Sequence, residues 1–121
     1  MLRSVRRGSD RLRPMVEWTN RLHIYAQDAS HEDAWVVGDR EALTALRDAL
    51  NRVLDGPAAT DGAKSFCEDG EGFLTVVVRV DDASLWKTLH LPYATRSISN
   101  EDCVHPFAVA DEDTYRRLHR A

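Results

Sequence analysis

Two cysteines in 121 residues, Cys67 and Cys103, are too few for a disulfide framework and have no CxxC spacing. Reduced thiols in a cytoplasmic protein are the reading they support. The chain also lacks any apolar stretch near the roughly 20 residues that cross a bilayer. Its most apolar stretch is Val76-Val77-Val78, extended slightly by Phe73 and Leu74 across Thr75. Residues 1–14 have neither an apolar h-region nor a small-residue cleavage site, so they do not read as a secretory signal. No internal repeat or low-complexity tract is evident. GxSxG, P-loop, GxGxxG, HExxH and paired zinc spacings are all missing, which removes the enzyme classes that carry them.

A hydrophobic fraction of 43% with 30% charged residues is ordinary for a globular protein and too apolar for a disordered one. A chain of this size builds one core. The net charge of −4 conceals an asymmetry: residues 1–14 hold Arg3, Arg6, Arg7, Arg11 and Arg13 against Asp10, a balance of +4, which leaves −8 to residues 15–121. The first segment reads as a basic disordered arm, or as an upstream extension of a frame that starts at Met15, with an anionic-surface arm as the sharper alternative. Residues 15–121 read as one acidic domain. Its charge opposes phosphate contacts and would steer in a basic protein partner instead.

Leu22, Ile24 and Ala26 alternate with Arg21, His23, Tyr25 and Gln27, the pattern of a half-buried strand. Ala34 to Val37, ending at Gly38, predicts its antiparallel mate. Asp39 then caps a helix over Arg40 to Leu54, whose Leu43, Leu46, Leu50, Val53 and Leu54 predict the core face. Asp48 and Arg52 are placed to pair at i,i+4, and Gly56-Pro57 stops the helix. Pro57 to Gly62 reads as a small-residue loop. Lys64 to Glu68 and Phe73 to Val80 predict two strands around Asp69-Gly70-Glu71-Gly72.

The near-continuous apolar run of Phe73 to Val80 needs cover on both faces or an interface, and a homodimer through it is one way to supply that. Ser84 is placed to cap a short helical turn holding Leu85, Trp86 and Leu89. Cys103 to Ala110 predicts an edge strand interrupted by Pro106, and Asp111 to Arg120 a terminal helix with acids at its start and arginines at its end. The fold class is therefore α+β. Its expected form is a small, mostly antiparallel sheet of about four to five strands packed on one main amphipathic helix, with a short second helix and a C-terminal one.

His31-Glu32-Asp33 and Cys103-x-His105 are the nearest approaches to metal ligands, and neither has a second half elsewhere, so no metal or cofactor is expected. Cys67 could act as a nucleophile only if His23 or His90 met it in space. Trp18, Trp35, Trp86, Tyr25, Phe66, Phe73 and Tyr93 suffice to fill a small core. If Trp18, Tyr25 or Trp86 is instead exposed beside acidic turns, it marks an anchor for a protein partner.

The helix opening Gly38-Asp39-Arg40-Glu41-Ala42-Leu43, the turn Asp69-Gly70-Glu71-Gly72-Phe73 and the closing Leu89-His90-Leu91-Pro92-Tyr93 together resemble small uncharacterised bacterial α+β domains. Some of these are similar to immunity proteins of bacterial toxin systems. The resemblance covers Leu22 to Tyr93 and implies an inhibitor that binds a protein, without assigning a role to any residue. The expected function is a non-catalytic interaction module with an acidic surface, its partner-binding residues Glu68, Asp69, Glu71, Asp81, Asp82 and Trp86. The alternative is a small ligand-binding domain or motif-free enzyme with a pocket between the sheet and the C-terminal segment, near Cys67, His23, His90 or His105.

Overall fold

The computed structural model describes residues 19–93 and 105–120. The basic arm, Trp18 and Cys103 lie outside them. The fold is α+β, as the alternation of patterns predicts. Strands β1 (Leu22–Tyr25) and β2 (Trp35–Gly38) form one antiparallel hairpin, in register from Leu22 opposite Gly38 to Tyr25 opposite Trp35. Helix α1 (Arg40–Asp55) follows. A second antiparallel hairpin pairs β3 (Thr60–Phe66) with β4 (Gly72–Val78). The chain then makes the short helix α2 (Ala83–Trp86), a 3₁₀ turn at Pro106–Val109 and the C-terminal helix α3 (Glu112–Arg120).

Among the described residues the strands make two two-stranded sheets rather than one sheet of four to five. A single parallel bridge, Arg21 opposite Phe66, links them, with the Phe66 N–H donating to the Asn20 carbonyl at 2.9 Å. In a parallel ladder the next N–H on that side, Glu68, would bond the Leu22 carbonyl. It bonds the His23 imidazole Nε2 instead, at 2.9 Å. The His23 ring thus takes the place of the next ladder bond, and the pairing of β1 with β3 stops there.

Helix α1 is capped as expected, the Asp39 Oδ1 accepting from the Ala42 N–H at 2.9 Å, and it ends with the Gly56 N–H on the Arg52 carbonyl at 2.9 Å. Its core face keeps Val53 of the expected stripe, with Leu46 half-buried, but Leu43, Leu50 and Leu54 are exposed and Ala42 and Ala49 are buried in their place. Both sets recur with the helical period, one residue out of step. The small-residue set allows the helix axis to approach the sheet closely, where buried Ala63 and Ser65 meet it, and the leucines flank that contact. Arg52 does not pair with Asp48. It reaches across to Asp61 on β3, while Asp48 takes Arg47.

Strand β3 begins at Thr60, inside the segment expected to be a loop, and Gly62 explains why. A Cβ there would lie 2.6 Å from the Thr75 carbonyl oxygen and 3.2 Å from Leu118 of α3, so only glycine admits this close approach. The same geometry places α3 on the face of the hairpin opposite α1. Leu74, Val76 and Val78 share the α3 face with Gly62, and Thr75 and Val77 share the α1 face with Asp61. The apolar run of β4 thus has a helix on each face, with none of its residues fully buried.

Asp111 anchors α3: its N–H donates to the Thr60 hydroxyl at 3.0 Å and its carboxylate accepts the Thr114 N–H at 3.1 Å. One expected cap changes hands, and one expected strand does not form over its described part. Asp82, not Ser84, caps α2, accepting the Ser84 N–H at 2.9 Å. The expected strand after Cys103 is, over its described part, the 3₁₀ turn, because Pro106 supplies a helical φ at the first position and His105 caps it. The aromatic residues do not fill the core, which is built on Leu22, Ala42, Ala49, Val53 and Ala63, with Trp35, Trp86, Tyr25, Phe66 and Phe107 exposed.

Candidate interaction face

Only the root of the β1–β2 hairpin is buried. Leu22 is fully enclosed against Gly38, where an added Cβ would fall 2.9 Å from the leucine Cδ1. Beyond it the sheet has split, and neither face of the hairpin is covered. The expected half-buried alternation therefore fails after Leu22. Ile24 opposite Val36, and Tyr25 opposite Trp35, stand in solvent, with Tyr25 52% and Trp35 61% exposed. Cross-strand pairing makes these side chains two apolar patches, one on each face of a short hairpin. The sequence signal for this surface is the unbroken Trp35-Val36-Val37, which has no polar residue to mark a wet face.

Beside it lies the acidic turn that joins β3 to β4. Gly70, at φ 91°, closes it, with its N–H on the Cys67 carbonyl at 2.9 Å. The Cys67 N–H donates to the Glu71 carbonyl at 2.8 Å, and the Glu71 N–H to the Asp69 carboxylate at 3.0 Å. Glu68 lies 3.6 Å from the half-buried Arg21 in an ion pair. His23, Ile24, Tyr25, Cys67, Glu68 and Asp69 line one shallow depression. Tyr25 is thus the exposed aromatic beside an acidic turn that the sequence names as an anchor.

The structure brings His23 and Cys67 into that depression, yet it occupies both imidazole nitrogens. Nε2 accepts from Glu68 N–H and Nδ1 lies 2.8 Å from the Tyr25 hydroxyl. With Nε2 an acceptor, Nδ1 carries the proton and donates it to the tyrosine oxygen. That imidazole orders the turn and is not free to serve as a thiol base. His90 is exposed after α2, and His105 lies on the opposite face of the β3–β4 hairpin.

Asp81, Asp82 and Trp86 do not join this group. They follow the far end of β4, whose seven residues separate the two acidic sites by roughly 20 Å at the usual strand rise. There Asp81 pairs with Arg79 at 3.0 Å, and Trp86, 60% exposed, donates its indole N–H to the Val80 carbonyl at 2.9 Å. The Ser84 hydroxyl and N–H hold the Asp82 carboxyl below its ordinary range. His31, Glu32 and Asp33 are exposed in the β1–β2 turn, with His31 at φ 70°. No group of three or more His, Cys, Asp or Glu side chains among the described residues is arranged to hold a metal, and no helix among them is long and apolar enough to cross a membrane.

Comparison with protein-family models, with curated proteins and with solved structures finds no match to this chain.

Proposed function

We propose that this domain is a non-catalytic interaction module that binds a basic protein through the β1–β2 hairpin and the adjoining acidic turn. The observation that carries the reading is the exposure of Tyr25 next to Glu68 and Asp69, with the exposed Trp35 opposite it on β2. Large aromatics on a short hairpin supply contact area at small entropic cost, and carboxylates at the rim raise the association rate of a cationic partner. Glu71 belongs to the same rim. Asp81, Asp82 and Trp86 form a second contact only for a partner that spans β4. An immunity-type inhibitor acting in the cytoplasm is the biological role that the sequence resemblance supports.

The enzymatic alternative near Cys67 loses weight because His23 is engaged at both nitrogens. The test is capture of a partner by the wild-type chain at low and high salt, repeated with Tyr25→Ala/Trp35→Ala and with Glu68→Lys/Asp69→Lys/Glu71→Lys. One basic protein, retained by the wild type and lost with either variant and with salt, supports the reading. Equal retention by all three proteins overturns it.

A further inference from the structure

On the α3 face of the β3–β4 hairpin lies a cavity of about 570 Å³, within the size range of small-molecule sites. Its floor is Leu74, Val76 and Val78. Its wall is a ladder of edge-to-face rings, Phe107 on Tyr115 with centroids 5.1 Å apart, and Tyr115 on His119 at 4.6 Å. Among the described residues no carboxylate lines it. The polar groups at its margin are two imidazoles and a phenol.

One of those imidazoles has a fixed role. His105 caps the 3₁₀ turn, its Nδ1 accepting the Phe107 N–H at 2.9 Å. That bond assigns the ring proton to Nε2, so His105 offers a hydrogen-bond donor at the edge of an apolar cavity. Apolar volume and a preset donor at its edge, with no acid among the described lining residues, are complementary to one class of molecule. We infer that the cavity is a binding site for a medium-sized apolar carboxylic acid, its chain on Leu74, Val76 and Val78 and its carboxylate on His105 Nε2–H. The site shares no residue with the depression at Tyr25 and Glu68, so it stands or falls independently of the protein-interaction reading.

The test titrates decanoate and 1-decanol into the full-length chain, following amide and imidazole resonances by NMR. Saturable decanoate binding with shifts confined to Leu74–Val78 and His105–His119 is expected. Val76→Trp, which fills the cavity, abolishes binding of both ligands. His105→Asp still caps the 3₁₀ turn but exchanges the donor for a negative charge, and it weakens decanoate by about tenfold or more while leaving decanol unchanged. Circular dichroism melting of each variant separates loss of fold from loss of site, and the wild-type shift map stands even if Val76→Trp unfolds. No saturable binding, shifts centred elsewhere, or equal decanoate affinity in His105→Asp overturns the inference.

Discussion

Arg21 and Asp39 are joined by a reciprocal pair of hydrogen bonds: the Arg21 N–H donates to the Asp39 carboxylate at 3.0 Å, and the Asp39 N–H donates to the Arg21 carbonyl at 3.1 Å. The other carboxylate oxygen caps α1, so one side chain fastens the root of the first hairpin to the start of the main helix. The Arg21 N–H chiefly, with the Ala42 N–H, outweighs burial and holds the Asp39 carboxyl below its ordinary value of 3.8. Asp39→Ala is expected to lose about 2 kcal/mol of unfolding free energy in urea titration at neutral pH. A carboxyl with a lowered folded-state pKa contributes stability that is complete above its unfolded pKa and declines as pH falls through the folded one. The wild type should therefore lose stability below pH 3.8, and Asp39→Asn should lose less over the same window.

Ser65 is buried in β3 with its hydroxyl unpartnered. An unsatisfied buried hydroxyl costs about 1 kcal/mol or more. Ser65→Ala should raise the midpoint of thermal unfolding, and a lower midpoint would indicate that the hydroxyl has a partner.

Gly62 sits where a methyl group would press on the Thr75 carbonyl. Gly62→Ala should destabilise by about 1–3 kcal/mol, the usual range for overpacking, despite the better intrinsic conformational entropy of alanine. A neutral result in denaturant titration would mean that the two strands can part without cost.

The ion pair of Arg52 with Asp61 ties α1 to β3. Burial pushes the Asp61 carboxyl up, but Arg52 and the Gly62 N–H outweigh it, and the net shift is downward. Because Arg52 is largely exposed, a double-mutant cycle with Arg52→Ala and Asp61→Ala should give a coupling of only about 0.5 kcal/mol, reduced further by salt.

Trp35 is the most exposed aromatic of the first hairpin. Trp35→Ser should change unfolding free energy by no more than about 0.5 kcal/mol while removing partner capture, the separation expected of a contact residue and not of a core one.

Periodicity made most of the elements legible. The capped helix over residues 40 onward, the two hairpins and the C-terminal helix follow from patterns of apolar spacing and turn chemistry that act locally. What sequence could not convey was which of two interleaved stripes on α1 meets the sheet, because that depends on how closely the sheet permits the helix to approach. Gly62 reads as a loop residue until its neighbours across the strand are known. Of the acidic residues, the pattern groups Glu68, Asp69 and Glu71 with Asp81 and Asp82, and it does not convey that the length of β4 stands between the two sets. The sequence reading names His105 among the residues near a pocket between the sheet and the C-terminal segment, but that this cavity takes His105 without Cys67, His23 or His90 follows only from the packing of α3 on β4.

The seam at His23 has an evolutionary consequence. The outer hairpin gives the core a single fully enclosed side chain, Leu22, and is moored by Asp39, so its tip can accumulate substitutions at Ile24, Tyr25, Trp35, Val36 and Val37 with little penalty to the scaffold. A lineage that keeps those two moorings can diversify what the hairpin recognises while the second hairpin and its two helices stay unchanged.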